Sequence, residues 1–172
     1  IRYVVLSYES VWGALSYVSV FEHKSLTRSE SIQIEDSIVG RLFEAELQEM
    51  GHAETGGLLA WSPLATGMLS GKYLDGARPT GTRWTIRHDQ DRDTMSGHMA
   101  VRAYMDIAQK HGLDMCQMAL AFVNSRPFVT SNIIGATNMT QLKSNIGSIN
   151  LNLSPEILTD IETVRRTYPM PF

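Results

Sequence analysis

Cysteine is almost absent from this sequence. A single Cys116 among 172 residues cannot form an intrachain bridge, which excludes a disulfide-stapled scaffold and agrees with a reducing compartment. An excess of charge of one sign is also missing: 15 Lys+Arg stand against 18 Asp+Glu, a formal net charge of -3, without the basic surplus of a nucleic-acid or anionic-membrane binder. No apolar run approaches the ~20 residues that cross a bilayer, and no basic-then-apolar leader opens the sequence. The expected setting is therefore cytoplasmic, with neither nucleic acid nor membrane as partner. The absence of a Gly-x-Ser-x-Gly elbow leaves a triad hydrolase without a foothold. His23, His52, His88, His98 and His111 lack metal-ligand spacing, and surface or cap roles are expected of them. Asp89-Gln90-Asp91-Arg92-Asp93 alternates acids like a calcium loop, but Thr94 fills the glycine position and Ala100 the place of the closing Glu, so no metal site is expected.

What is present is an ordinary globular composition, 43% hydrophobic and 19% charged, sufficient for one domain over residues 1–172. Ile1 to Leu6 is a β-branched and aromatic run that reads as a buried strand, so the domain looks truncated at its start. Ser10 precedes a helical spacing of Val11, Leu15, Val18 and Phe21, and a short strand is expected at Ser31 to Glu35. Leu42, Phe43, Ala45, Leu47 and Met50 form one helical stripe, with Gly51 as its C-cap. Gly57 to Trp61 is the third strand, and proline in Ser62-Pro63-Leu64 stops it.

Thr66 to Gly97 has no lasting period and predicts a long loop, a feature that in compact domains is usually functional or mobile. Helical periodicity resumes at His98 and closes at Gly112. Asp114 with Gln117, then Asn138 with Gln141, are capping boxes for two further helices, separated by a strand at Ile133-Ile134 and a turn at Gly135. Cys116 lies in the first capping turn, where a thiol pKa can fall, although a small buried hydrophobe is the plainer role. Ser154-Pro155 starts a terminal helix carrying Ile157, Leu158, Ile161 and Val164. Strands alternating with helices predict parallel βαβ units, either a wound sheet or a barrel.

Two segments combine features that core packing alone does not require. Trp61-Ser62-Pro63-Leu64-Ala65-Thr66-Gly67 runs into Ser70-Gly71-Lys72-Tyr73. Ile134-Gly135-Ala136-Thr137-Asn138 runs into Gln141-Leu142-Lys143-Ser144-Asn145. Each follows a strand, and at the C-terminal ends of parallel strands such loops converge on a binding site. The second also sets backbone N–H groups at a helix start, which favours a phosphate.

Together these motifs resemble the C-terminal half of the aldo-keto reductases, and more narrowly the Tas-like bacterial members and the potassium-channel β subunits. The likeness runs from Ile1 to about Tyr168. It implies an α/β fold, the C-terminal half of a (β/α)8 TIM barrel with about four βα units plus a C-terminal helix. It also implies an NADP(H)-dependent oxidoreductase that reduces a small carbonyl substrate. By that resemblance Ser62, Pro63 and Leu64 with Gly67 would wrap the pyrophosphate, and Trp61 would stack on the nicotinamide. Lys72 and Arg83 would meet phosphates, while Gly135, Thr137, Gln141, Ser144 and Asn145 would surround the adenosine. Ser7 and Gln33 would contact the carboxamide.

Departures accompany the likeness. Tyr8 stands where an asparagine is expected, and Glu35 and Asp36 bring carboxylates that would repel a dinucleotide if both pointed inward. The catalytic tetrad of the family belongs to the other half of its barrel, and no residue here can be matched to it, so the catalytic residues are unknown. The alternatives are a non-catalytic nucleotide-binding or interaction module, and a recruited hydrolytic activity through Glu35 and Asp36. Half a barrel leaves one sheet face and two strand edges uncovered, so a homo-oligomer or a complementary N-terminal half is expected as partner.

Overall fold

In the computed structural model, which describes residues 2–54, 56–87 and 91–172, strand β1 (Val4–Ser7) leads into helix α1 (Val11–His23). The start of α1 is set by the Ser10 hydroxyl, which accepts from the Gly13 N–H at 3.1 Å. Strand β2 (Ser29–Glu35), the short helices α2 (Leu42–Ala45) and α3 (Leu47–Ala53), and strand β3 (Gly57–Trp61) follow. Two 3-10 turns (Ala65–Ser70 and Leu74–Gly76) and the single-turn helix α4 (Arg83–Ile86) fill the connection to α5 (Met95–Lys110). Then come α6 (Met115–Asn124), β4 (Val129–Ile133), α7 (Met139–Gly147) and α8 (Pro155–Thr167). No helix of the described residues is long and apolar enough to cross a membrane.

The four strands form one parallel sheet in the order β1-β2-β3-β4. Successive side chains alternate between the two faces of a strand, and here only one face is covered. The core takes Leu6, Ile32, Ile34, Leu58 and Ala60 from that face and packs them with Phe43, Met118 and Val123. The other face carries Val5, Ser7, Gln33, Leu59, Trp61 and Ile133, none of which joins the core cluster. Val5 is 44% and Ile133 41% exposed. Four parallel strands with this asymmetry are the arrangement expected of part of a (β/α)8 barrel.

Several boundaries differ from the sequence expectation. β4 starts at Val129, before the expected Ile133-Ile134, because Thr130, Ser131 and Asn132 are polar and mask the strand at a sheet edge. β2 likewise begins at Ser29. The single helix expected over Leu42 to Met50 is broken at Glu46, whose φ of -138° is not helical. Gly51 is not a C-cap. It lies inside α3, where a Cβ would come within 2.9 Å of the Gly56 carbonyl oxygen, so glycine is there for close packing. Helix α5 starts at Met95 rather than His98, because the Thr94 hydroxyl accepts from the Gly97 N–H at 2.9 Å and supplies the cap. Asp114, Asn138 and Ser154 cap α6, α7 and α8 as their spacing predicts.

The long connection after β3 is anchored rather than loose over its described part. Tyr73 and Trp84 are buried and stack with ring centroids 4.1 Å apart, and the Trp84 indole N–H donates to the Thr66 hydroxyl at 3.3 Å. Trp84→Ala is expected to cost about 3–5 kcal/mol in urea unfolding, the range for emptying a buried aromatic site. A loss below about 1 kcal/mol would show that this stack does not hold the loop.

Candidate functional site

The strand register brings the site residues into rows. Ser7, Gln33, Leu59 and Ser131 stand side by side, and Glu35, Trp61 and Ile133 form the next row toward the C-terminal ends. Tyr8 continues the first strand by one residue, its N–H donating to the Gln33 carbonyl at 3.2 Å. Its φ of 59° is left-handed, a conformation that costs free energy in a non-glycine residue and concentrates at functional sites. The Tyr8 ring lies 5.2 Å from that of Trp61, and the Trp61 indole N–H is buried with no acceptor among the described residues.

Beyond Trp61 the chain bends sharply. Ser62, Ala65 and Thr66 have φ of 53°, 47° and 57°, and Gly67 reaches 95°. Pro63 is buried, Ser62 and Leu64 are half-buried, and the Ser62 and Leu64 carbonyls accept from the N–H groups of Ala65 and Gly67. A Cβ on Gly67 would sit 3.1 Å from the Lys72 ammonium, so glycine lets that cation approach the backbone of the bend. Lys72 also lies over the Tyr73 ring at 5.2 Å. Arg83 is exposed at the start of α4.

After β4, Gly135 to Asn138 lead into α7. The Asn138 side chain accepts from the Gln141 N–H at 2.9 Å, and the Gln141 side-chain oxygen accepts from both the N–H and the hydroxyl of Thr137 at 2.9 Å. Asn145 is buried and donates its amide to the Gly135 carbonyl at 3.1 Å. Ser144 is half-buried, its carbonyl accepting from Gln117 at 3.1 Å. Thr137, Gln141 and Asn145, expected around an adenosine, thus spend hydrogen bonds on shaping the loop itself. Thr137 and Gln141 stay exposed.

The aldo/keto reductase family matches residues 1–166. The chain belongs to the aldo-keto reductase family. It is 45% identical to Protein tas of Escherichia coli (strain K12) over 99% of this chain and 50% of that protein. It is 34% identical to a probable voltage-gated potassium channel subunit beta of Arabidopsis thaliana, over 66% of this chain and 36% of that one. The L-glyceraldehyde 3-phosphate reductase of Escherichia coli O157:H7 is 34% identical over 62% of this chain and 32% of its own length. The chain thus spans about half the length of the Escherichia coli tas protein.

This aldo-keto reductase sheet resolves the problem posed by its two unexpected carboxylates. Glu35 ends β2 and Asp36 follows it just outside the strand, and the two carboxylates have different neighbours. Glu35 ion-pairs with Arg92, a partner 57 residues away that no spacing announced. Burial raises the Glu35 pKa and Arg92 opposes the rise. Asp36 is fully buried, and neither carboxylate oxygen has a hydrogen-bond partner among the described residues. Its pKa is pushed up to about 7, first by burial and then by the charge of Glu44, against the pull of Arg41 and Arg126.

Other candidate groups are decided by the fold. Asp89 and Gln90 of the calcium-like run lie outside the described residues, as does His88. Within the described part Asp93 pairs with Arg78 and with His98, which hold its carboxyl below the usual range. His111, Glu156 and Asp160 do meet, although no sequence spacing linked them, with ligand atoms within 4.8 Å of one another. The Lys110 ammonium sits 2.8 Å from Asp160 and 3.2 Å from Glu156, so these charges are already compensated. Burial, with a smaller push from Asp114, raises the half-buried Cys116 thiol to about 11, opposite in direction to the fall its capping turn allowed.

Asp36 makes stability depend on pH. In the folded chain it keeps its proton up to about pH 7, whereas an unfolded aspartate loses it near 3.8. Between those values the folded state binds more protons, so its contribution to stability falls as pH rises through the window and is flat above it. Asp36→Asn removes this loss. Relative to the unaltered chain the variant is expected to be about equal at pH 4 and about 2–4 kcal/mol more stable at pH 8, read by urea unfolding. Parallel stability profiles for the two proteins would show that Asp36 is not buried as an acid.

Proposed function

We propose that this chain is the mainly cofactor-binding portion of an NADP(H)-dependent oxidoreductase that reduces small carbonyl compounds to alcohols. The observation that carries the reading is the grouping, toward the C-terminal ends of three neighbouring parallel strands, of Ser7, Gln33 and Trp61 with the bend of Ser62 to Gly67. The residues suit the group. The unpaired Trp61 indole and its ring offer a flat apolar surface, and Ser7 and Gln33 beside it offer polar partners for a carboxamide. Ser62, Pro63, Leu64 and Gly67 would follow the pyrophosphate, with Lys72 as the nearby cation and Arg83 further along the loop. Gly135, Thr137, Gln141, Ser144 and Asn145 form the helix start that would receive the adenosine end.

When bound, the dinucleotide supplies the hydride; this chain's residues bind and orient it. Carbonyl reduction also needs a proton donor within hydrogen-bond reach of the substrate oxygen, and in this reading that role falls to none of the described residues. The reading therefore includes a cytoplasmic partner surface. A second copy or a complementary N-terminal half would cover the sheet face that bears Val5 and Ile133. The similarity to a probable voltage-gated potassium channel subunit beta supports a second reading, a nucleotide-binding interaction module without turnover.

Fluorescence titration is expected to show saturable NADPH binding, tighter than NADH. Lys72→Ala should weaken it by about 1–2 kcal/mol through loss of a charge-assisted contact. No saturation below millimolar NADPH would refute the cofactor reading. Aldehyde-dependent NADPH oxidation by the 172-residue chain alone is expected near background, since a missing general acid removes ~10²–10⁴-fold in rate. Brisk turnover would show that the chain carries its own acid and would exclude the module reading.

A further inference from the structure

Tyr8 is placed as few residues are. Its backbone is pinned by the N–H bond to Gln33 in a left-handed conformation, while its side chain is 72% exposed. No hydrogen bond to its phenol oxygen is made among the described residues. What positions the ring is its contact with Trp61, at 5.2 Å between centroids and 42° between planes. That separation lies within aromatic contact, so the part of the indole that Tyr8 touches is not open to another ring. The buried Trp61 N–H has no acceptor among the described residues.

We propose that Tyr8 is a positioning and specificity-determining residue that shields the Trp61 ring, and that a flat heteroaromatic ligand reaches the indole only by displacing the phenol. The inference rests on the cofactor reading, in which Trp61 carries the nicotinamide. The pinned backbone and the exposed side chain divide the work. The strand end stays in register with Gln33 while the ring turns away about its side-chain torsions, a rapid motion for an exposed group. Displacement subtracts one tilted aromatic contact from the affinity of every ligand that stacks on Trp61. Ligands held only at the start of α7, from Gly135 to Asn145, and by the bend at Ser62 to Gly67 do not meet Tyr8. A dinucleotide with its flat ring therefore feels the shield, and an adenosine bisphosphate lacking that ring does not.

The test compares the unaltered chain with Tyr8→Ala and Tyr8→Phe, using NADPH and 2′,5′-adenosine bisphosphate as probes and the 15N indole spectrum as readout. Removing the ring should tighten NADPH binding by about 3- to 10-fold, the worth of one aromatic contact, and leave the bisphosphate unchanged. Tyr8→Phe keeps the ring and should bind NADPH as the unaltered chain does. In Tyr8→Ala the Trp61 indole signal should move while that of Trp84, stacked on Tyr73, stays in place and reports an intact fold. NADPH binding that is unchanged or weakened in Tyr8→Ala overturns the shield and leaves the cofactor reading standing. Absence of NADPH binding in all three proteins overturns both.

Discussion

The alternation of side chains across a parallel sheet is the constraint on which the rest of this molecule depends. Leu6, Ile32, Ile34, Leu58 and Ala60 fall on one face and are drawn under the helices, which is where the apolar burial that stabilises the fold is found. Their sequence neighbours are thereby committed to the other face. Ser7, Gln33 and Trp61 are brought onto one face by the same rule that builds the core, and none of them has to be placed by a loop. The site residues are thus held by main-chain ladders, the most rigid support the chain has to offer. At the end of β2 two carboxylates have different surroundings: Glu35 meets Arg92, while Asp36 is buried with Glu44, Arg41, Arg126 and Glu35 as its charged neighbours.

The connection after β3 shows how an irregular segment acquires a definite shape. It begins with three non-glycine residues in left-handed conformations, each of which costs free energy. The Tyr73–Trp84 stack offsets that cost by burying two large rings and tying Thr66 to the indole N–H. Lys72 is held between this stack and the open backbone at Gly67, so a charge that would otherwise sample solvent is kept beside the bend. The loop after β4 is stiffened differently, by side chains that satisfy its own backbone: Asn138 and Gln141 at the start of α7, and Asn145 on Gly135. Both loops are thus held in shape by their own contacts.

Much of this was legible in the residues. Serine, aspartate and asparagine ahead of apolar stripes located α1, α6, α7 and α8, because a cap is a local hydrogen bond between residues close in sequence. The alternation of strand and helix indicated the parallel topology, and the motifs within Trp61 to Tyr73 and Gly135 to Asn145 marked the family. The misses share a cause. β4 was hidden by Thr130, Ser131 and Asn132, whose polarity is tolerated only because they lie at an edge. Glu46 broke a helix that the apolar stripe predicted as continuous. Gly51, whose type suggested a cap, is demanded by the approach of Gly56.

What the sequence by itself determined is therefore what depends on short range: where helices begin and which residues can alternate in a strand. Only the tertiary structure decided the contacts between distant residues. Arg92 reaches Glu35, Tyr8 leans on Trp61, and His111 meets Asp160, each across a separation at which no periodicity survives. It also decided protonation, since the rise of Asp36 and Cys116 comes from exclusion of water, a property of packing and not of residue type. The physical reason is that hydrogen bonds at fixed offsets are written along the chain, whereas burial and long-range pairing are created only when the sheet brings its strands side by side.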